Sequence, residues 1–249
     1  MKPVILIFAF NRPSHLSKLL NSLFLNKESK QIPIIIFIDG PRNNNDKKCI
    51  CSVKKVINHY KSYSKSIKII SRRKNLGTQQ SIISGVTKYI KQYKSAIILE
   101  DDLVLDQFFL QYMINSLEIY KSNKEVFHIS GYSFLSNTNS KRAVFSRFMN
   151  CWGWATWTDR WSLLNRDINY LSSSFSKKEI YQFNINDSHD FYRQIIENKV
   201  GIINTWAIFW YATIFKSNGL CLTPVTTLVN NNGNDGSGIN QGSKLRNIN

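Results

Sequence analysis

The chain's absences narrow its class first. None of its apolar runs approaches the ~18–20 residues needed to cross a bilayer; the longest cover residues 4–10, 32–38 and 206–215. A cleaved leader is not expected, because Asn11, Arg12 and Pro13 break the first apolar stretch early and no small-residue cleavage site follows. Cysteines number four, Cys49, Cys51, Cys151 and Cys221. One Cys-x-Cys pair and two distant singles match neither zinc spacing nor a disulfide framework, so unpaired thiols and a cytoplasmic location are expected. The four histidines, His15, His59, His128 and His189, are scattered, and none is assigned a ligand role.

Acidic residues are scarce. Asp and Glu number 16 against 33 Lys and Arg, a net charge of +17. The surplus fits nucleic acid, an anionic membrane surface or phosphate-rich substrate, or a lysine-rich composition without functional meaning. The lysines are spread singly or in pairs rather than interleaved with aromatics in a stripe. With 43% apolar and 13% aromatic residues, the 249-residue chain can bury enough surface to offset ordering entropy. It is expected to form one domain over residues 1–249, with a change of character between a first half (1–105) and a second half (106–249) and a mobile tail from about 230.

The first 120 residues alternate between two patterns. VILIFAF (4–10) and IPIIIFI (32–38) are continuous apolar runs, as in strands buried on both faces. Residues 67–70 and 96–99 predict two further strands. Helices are expected between them: after a Ser14 cap with Leu16, Leu19, Leu20 and Leu23 on one face, over 49–63 with Val53, Val56, Ile57 and Tyr60, over 79–93, and over 108–120. This alternation predicts an α/β fold with a mostly parallel sheet flanked by helices. In such sheets ligands bind beyond the carboxyl ends of the strands. Asn11, Arg12, Asp39, residues 72–77 and Glu100-Asp101-Asp102 all fall there. Beyond residue 125, short strands are expected at 126–129 and 144–146, helices at 190–198 and 206–217, and a polar loop at 172–176.

Glu100-Asp101-Asp102 directly follows Ile97-Ile98-Leu99. Adjacent carboxylates at a strand end repel one another unless a cation relieves them. Mg²⁺ or Mn²⁺ would suit such hard oxygen ligands; a solvated acidic helix start is the alternative.

These segments together resemble a GT-A glycosyltransferase of the broad family 2 type. The resemblance is carried by VILIFAFNRP, IFIDG, RRKNLGTQQSIISG and ILEDDL. EDDLVLDQFFLQY also resembles a segment of the N-acetylglucosaminyltransferase I family, and CWGWATWTDRW with the later NNGNDGSG resembles bacterial enzymes of O-antigen or capsule assembly. The resemblance implies a mixed, mostly parallel Rossmann-like sheet and a nucleotide-sugar donor, UDP-linked by first expectation. It implies donor contacts from Phe10, Asn11, Arg12, Asp39, Arg73 (or Lys74), Asn75, Gly77, Glu100 and Asp101, with Asp102 holding Mn²⁺ or Mg²⁺. A glycan or lipid-linked glycan acceptor and no nucleic-acid partner follow from the same likeness, which also implies that residues 1–105 are the nucleotide-sugar-binding half and 106–249 the acceptor-side half; the +17 charge favours peripheral contact with an anionic membrane. An inverting transfer needs a general base, yet the stretch where related folds carry an Asp reads Asn204-Thr205-Trp206; Asp235 and Asp190 are the nearest candidates. Trp152 and Trp154 are expected on the acceptor side, since flat rings suit the C–H face of a sugar, while Trp157 and Trp161 have helical, core-like spacing. Asn230 to Gln241 is expected to order over bound nucleotide. Two other classes remain open: a nucleotidyltransferase with an acidic metal site, though Phe10-Asn11-Arg12-Pro13 is not a glycine-rich triphosphate loop, and a basic nucleic-acid-binding module.

Overall fold

Ile5, Leu6 and Ile7 have no solvent exposure. They lie in β1 (Val4–Ala9), the strand around which the first half is built. The computed structural model describes residues 2–61, 63, 64, 66–135 and 142–233, so Asp235 and most of the tail lie outside the described residues. α1 (Pro13–Leu25) follows at once. Then come β2 (Ile34–Ile38), α2 (Asn44–Tyr60), β3 (Ile67–Ser71), α3 (Gly77–Tyr93) and β4 (Ser95–Glu100). β1 is parallel to both β2 and β4, with Ile7 opposite Ile36 on one side and Leu99 on the other. A strand with neighbours on both edges and helices on both faces has no polar face to show, which is why it reads as an unbroken apolar run.

The second half adds β5 (Leu103–Leu105), α4 (Phe109–Ile119), β6 (Val126–Ser130), β7 (Val144–Ser146) and β8 (Trp154–Trp157). After α5 (Thr158–Trp161), α6 (Ile168–Ser173), α7 (Lys177–Phe183), α8 (Phe191–Lys199) and α9 (Ala207–Lys216) come β9 (Leu220–Thr223) and β10 (Val229–Asn231). Among the described residues, eight strands form one sheet in the order β3-β2-β1-β4-β8-β6-β9-β7, and β5 pairs with β10 apart from it. Only β8 and β7 run against the rest of that sheet. The mixed, mostly parallel α/β architecture expected from the sequence is therefore present.

The period of two along β1 separates two cores. Ile5 and Ile7 pack with α1, α2 and α4 on one face; Leu6 and Phe8 pack with α3, α9 and the shorter helices on the other. Each such buried Ile or Leu side chain contributes about 1.5–3 kcal/mol.

The structure revises several local expectations. Ser14 does not cap α1: Arg12 holds the cap position and no side chain bonds there. α2 starts earlier than expected because the Asn43 side chain accepts the Asp46 amide. Residues 172–176, expected as a polar loop, contain the end of α6 and the Ser176–Glu179 capping box that starts α7. Trp157 is in strand β8, so its spacing to Trp161 is not that of one helix. Gly153 does mark a close approach: its φ is +58°, and a Cβ there would lie 3.0 Å from the Phe109 ring.

Candidate active site

β1, β2 and β4 end on one edge, delivering Phe10-Asn11-Arg12, Asp39 and Asp101-Asp102 to a common cleft. The cleft holds about 380 Å³ and is walled on its far side by Trp152, Gln194 and residues 204–207. Among the described residues its acids are Asp39, Glu100, Asp101 and Asp102.

Asp39 is clasped to the loop after β3. Its carboxylate accepts the amides of Gly40 at 2.9 Å, Leu76 at 3.0 and 3.1 Å, and Gly77 at 2.9 Å. The Asn75 side chain answers by donating to the Gly40 carbonyl at 2.8 Å. The two strands' loops are so close that a Cβ on Gly40 would lie 2.3 Å from the Lys74 carbonyl carbon. Asp39 thereby satisfies the first amides of α3 from another element, and these contacts take up most of its acceptor capacity.

The loop after β1 is fixed from the opposite side. Asn11 donates to Asp46 at 2.7 Å, Arg42 bonds the same carboxylate through Nε at 2.9 Å, and the Arg42 guanidinium lies 4.8 Å from the centre of the Phe10 ring. Hydrogen bonds from Arg42 hold the Asp46 carboxyl down to about 2.

Glu100 at the end of β4 and Asp101 and Asp102 after it have three different environments. Burial, and then the charges of Asp102 and Asp101, push the Glu100 carboxyl up to about 8, so it is protonated at neutral pH. Asp101 is 3% exposed and bonds the Phe10 amide at 3.3 Å and Arg12 Nη2; burial raises its pKa and Arg12 partly offsets this. Asp102 accepts from the same Nη2 at 3.0 Å. Burial opposes the Arg12 charge, but the two aspartates outweigh it and raise its pKa. The repulsion among the acids is relieved within the protein by one guanidinium and one retained proton.

A divalent cation fits this group in one way. Among the described residues no three His, Cys, Asp or Glu side chains converge as a preformed cage. Asp102 lines the cleft with one oxygen on Arg12 and, among the described residues, no hydrogen bond to the other. A hard cation held by one carboxylate and completed by substrate phosphates suits that donor set.

Three helices begin at the cleft, with Arg12, Gly77 and Trp206 at or beside their first turns. α1, α3 and α9 have neither a side-chain cap nor an acid in the first turn. α2, α6, α7 and α8 are each capped by Asn, Asp or Ser. At α1 and α9 the partial positive charge of the N-terminus is left uncancelled, whereas at α3 the Asp39 carboxylate offsets it. α9 is set in place by Gln79, which donates to the Thr205 carbonyl at 2.8 Å, and by Asn198, which bonds the Thr205 hydroxyl and amide.

The chain returns to the site at its end. β10 pairs with β5, the Asn232 amide donates to the Asp102 carbonyl at 2.8 Å, and a Cβ on Gly233 would lie 2.5 Å from Asp102 Oδ2. The expected ordering segment falls on these residues up to Gly233 and otherwise outside the described ones.

Of the residues singled out from the sequence, Phe10, Asn11, Arg12, Asp39, Asn75, Gly77, Glu100, Asp101, Asp102 and Trp152 line the cleft together. Arg73 is not among its lining residues. Trp154 is 1% exposed, stacked on Trp206 at 5.1 Å and on His128 at 5.3 Å, and belongs to the core. Asp190 caps α8 through the Arg193 amide and is not part of the lining. Trp206 and Gln194 were not singled out: Trp206 opens an apolar helix and reads as core from its neighbours alone.

No known family profile and no curated protein matches the chain. Similar solved structures include residues 1–349 of Staphylococcus aureus TarS, with 14% identity over 66% of this chain and 48% of that one, at a TM-score of 0.47. An active-site mutant of LgtC has 10% identity over 85% of this chain and 70% of that one, at 0.46. A 4-diphosphocytidyl-2C-methyl-D-erythritol synthase from Anaerococcus prevotii has 15% identity over 74% and 84%, at 0.40. This chain spans about half the length of the TarS fragment. At such identities and scores these likenesses decide nothing about activity.

Proposed function

We propose that this protein is a glycosyltransferase of the GT-A type that takes its sugar from a nucleoside diphosphate. The observation that carries this reading is the convergence, on one strand edge, of Asp102 and Arg12 with the starts of α1 and α9, which carry neither a side-chain cap nor a first-turn acid. When the bond from the sugar to the diphosphate breaks, negative charge grows on the departing phosphate. Helix N-termini at the cleft would stabilise that charge, and Arg12 keeps the acids beside it neutralised. Asp102 would hold Mn²⁺ or Mg²⁺ against the diphosphate, where a bound cation supplies Lewis-acid stabilisation. Glu100 lines the cleft beside Asp101 and Asp102 and is suited to hydrogen-bond a sugar hydroxyl, and Phe10 with Asn11 forms the nucleoside side. Only Phe10-Asn11-Arg12 separate β1 from α1, too little chain for a loop that wraps a triphosphate, which disfavours the nucleotidyltransferase reading.

The four acids of the described cleft are each occupied: Asp39 by amides, Glu100 by its proton, Asp101 by Arg12, and Asp102 by Arg12 and the proposed cation. Asp235 is our proposed general base, since it follows closely on Gly233, which lies against Asp102; Asp190 is the weaker choice because it caps α8. The resemblance of the tryptophan-rich segment and tail to O-antigen and capsule enzymes favours a bacterial surface glycan as product and a lipid-linked glycan as acceptor.

A contact with anionic lipid has support in the charge distribution. Residues 1–100 carry 19 Lys and Arg against four acids, so all but two of the 17 net positive charges lie there. On the exposed face of α2, Lys47, Lys48, Lys54 and Lys55 stand without an acid, since Asp46 is buried. No helix among the described residues is long and apolar enough to cross a membrane, so the proposed contact is peripheral.

The test is a screen of nucleotide sugars for release of free nucleoside diphosphate in the presence of Mn²⁺. One nucleotide sugar should be turned over and the others should not. Turnover of none, combined with tight salt-sensitive binding of DNA, would favour the nucleic-acid reading.

A further inference from the structure

Asn11 and Arg12 are neighbours that reach in different directions. Arg12 bonds the acids that follow β4, whereas the Asn11 side chain turns to α2 and donates from Nδ2 to Asp46 Oδ1 at 2.7 Å. Asp46 is 2% exposed and held firmly: its amide donates to the Asn43 side chain at 2.8 Å, and its Oδ2 accepts the Arg42 amide at 3.0 Å and Arg42 Nε at 2.9 Å. Those bonds from Arg42 lower the carboxyl pKa to about 2, so the group is ionised at neutral pH. An ionised carboxylate only accepts. The Asn11 amide therefore has one permitted orientation, with Nδ2 toward Asp46 and Oδ1 turned away. Asn11 lines the cleft, and no hydrogen bond from a described residue reaches its Oδ1. Asp39, by contrast, has no acceptor to spare. Each of its oxygens takes two amide contacts, which fills the roughly four lone-pair sites of a carboxylate.

We propose that Asn11, oriented by Asp46, reads the nucleobase of the donor, selecting a base with a ring N–H on its pairing edge (uracil or guanine) over one with a bare ring nitrogen there (cytosine or adenine). This rests on the glycosyltransferase reading above and adds which bases the nucleoside side admits. In that reading Arg12 and Asp102 mark the diphosphate end of the cleft. Asn11 leaves the same three-residue loop toward α2, beside the Phe10 ring that the Arg42 guanidinium backs at 4.8 Å. A base seated with its ring N–H on Oδ1 gains a hydrogen bond. Cytosine in the same seat sets a ring lone pair against the Oδ1 lone pairs, losing the bond and adding repulsion. Asp46 is thus a positioning residue: it touches no substrate and acts by fixing which end of the Asn11 amide the base meets.

The experiment is calorimetric titration of UDP, GDP, CDP and ADP, each with Mn²⁺, into the full wild-type chain, Asn11→Ala and Asp46→Asn. The wild type should bind UDP or GDP roughly tenfold or more tightly than CDP and ADP, the worth of one hydrogen bond; the tighter of the two distinguishes uracil from guanine. Asn11→Ala should bring the four to within about threefold of one another. Asp46→Asn asks more. Its carbonyl can keep the Oδ2 bonds to Arg42, which leaves its NH₂ group facing Asn11. The Asn11 amide then turns over and presents Nδ2 to the cleft, and the ratio of CDP to UDP affinity should rise roughly tenfold. A merely structural role for Asp46 would weaken all four nucleotides alike. Wild-type binding of CDP or ADP as tight as that of UDP and GDP overturns the proposal, and so does a folded Asp46→Asn with the wild-type ratio. Unchanged selectivity in Asn11→Ala overturns it whether or not Asp46→Asn folds. Binding of none of the four nucleotides instead contradicts the donor-site reading, which keeps the two ideas separable.

Discussion

The Asp39 carboxylate accepts the Gly77 amide at 2.9 Å, tying the end of β2 to the start of α3. Gly40, the next residue, lies against the carbonyl of Lys74 with no room for a methyl group. Two loops far apart in the chain are therefore one rigid part of the cleft floor. Gly40→Ala should force the loops apart and cost about 2–3 kcal/mol, read as a lower urea midpoint, with nucleotide affinity falling in parallel. An unchanged midpoint would mean that the clasp is slack.

Arg12 is the internal counter-charge of the acid cluster. Arg12→Ala leaves Asp101, nearly inaccessible, with only the Phe10 amide, and should cost about 2–4 kcal/mol at pH 7. The loss should shrink as pH falls, because an unpaired buried carboxylate relaxes by taking up a proton. Urea titrations of both proteins at pH 7 and pH 5 check this; an equal loss at both values would show that Arg12 acts by packing alone.

His128 makes the second core acid-sensitive. Its Nε2 donates to the Asn150 carbonyl at 2.9 Å, and its Nδ1 accepts from the Trp210 indole at 3.3 Å. A second proton would set two donors face to face, and burial already holds the ring's pKa down to about 3. Below the unfolded value near 6.5 the unfolded chain binds a proton that the folded one refuses. Stability should therefore fall as pH drops from about 6.5 toward 3, by up to roughly 1.4 kcal/mol per pH unit from this group. His128→Gln should flatten that slope in a denaturation series.

The lysine face of α2 should bind vesicles rich in anionic lipid and release them as salt rises. Reversing Lys47, Lys48, Lys54 and Lys55 to Glu should abolish co-sedimentation while leaving the thermal midpoint nearly unchanged, since all four are exposed. Equal sedimentation with neutral lipid would rule out an electrostatic contact.

The first half of the fold is legible because strands buried on both faces cannot alternate in polarity: β1, β2 and β4 announce themselves, and the polar residues after each line one cleft. β8 is not legible, because two tryptophans on opposite faces of a strand have spacing that a helix also permits. α6 and α7 are hidden by serines that resemble a loop until the Ser176–Glu179 box is seen. Trp152 and Trp154 look equivalent in sequence, yet the Gly153 turn puts one on the cleft and the other in the core. The Arg12 bridge and the Asp39 clasp have no local signature, because each joins residues from separate strands.

The most direct test of the whole account is calorimetric titration of UDP into the wild type and Asp102→Asn, each with and without Mn²⁺. The account predicts binding that Mn²⁺ strengthens at least tenfold in the wild type, and weaker, Mn²⁺-indifferent binding in Asp102→Asn. Equal Mn²⁺ enhancement in both proteins would contradict a cation shared between Asp102 and the diphosphate.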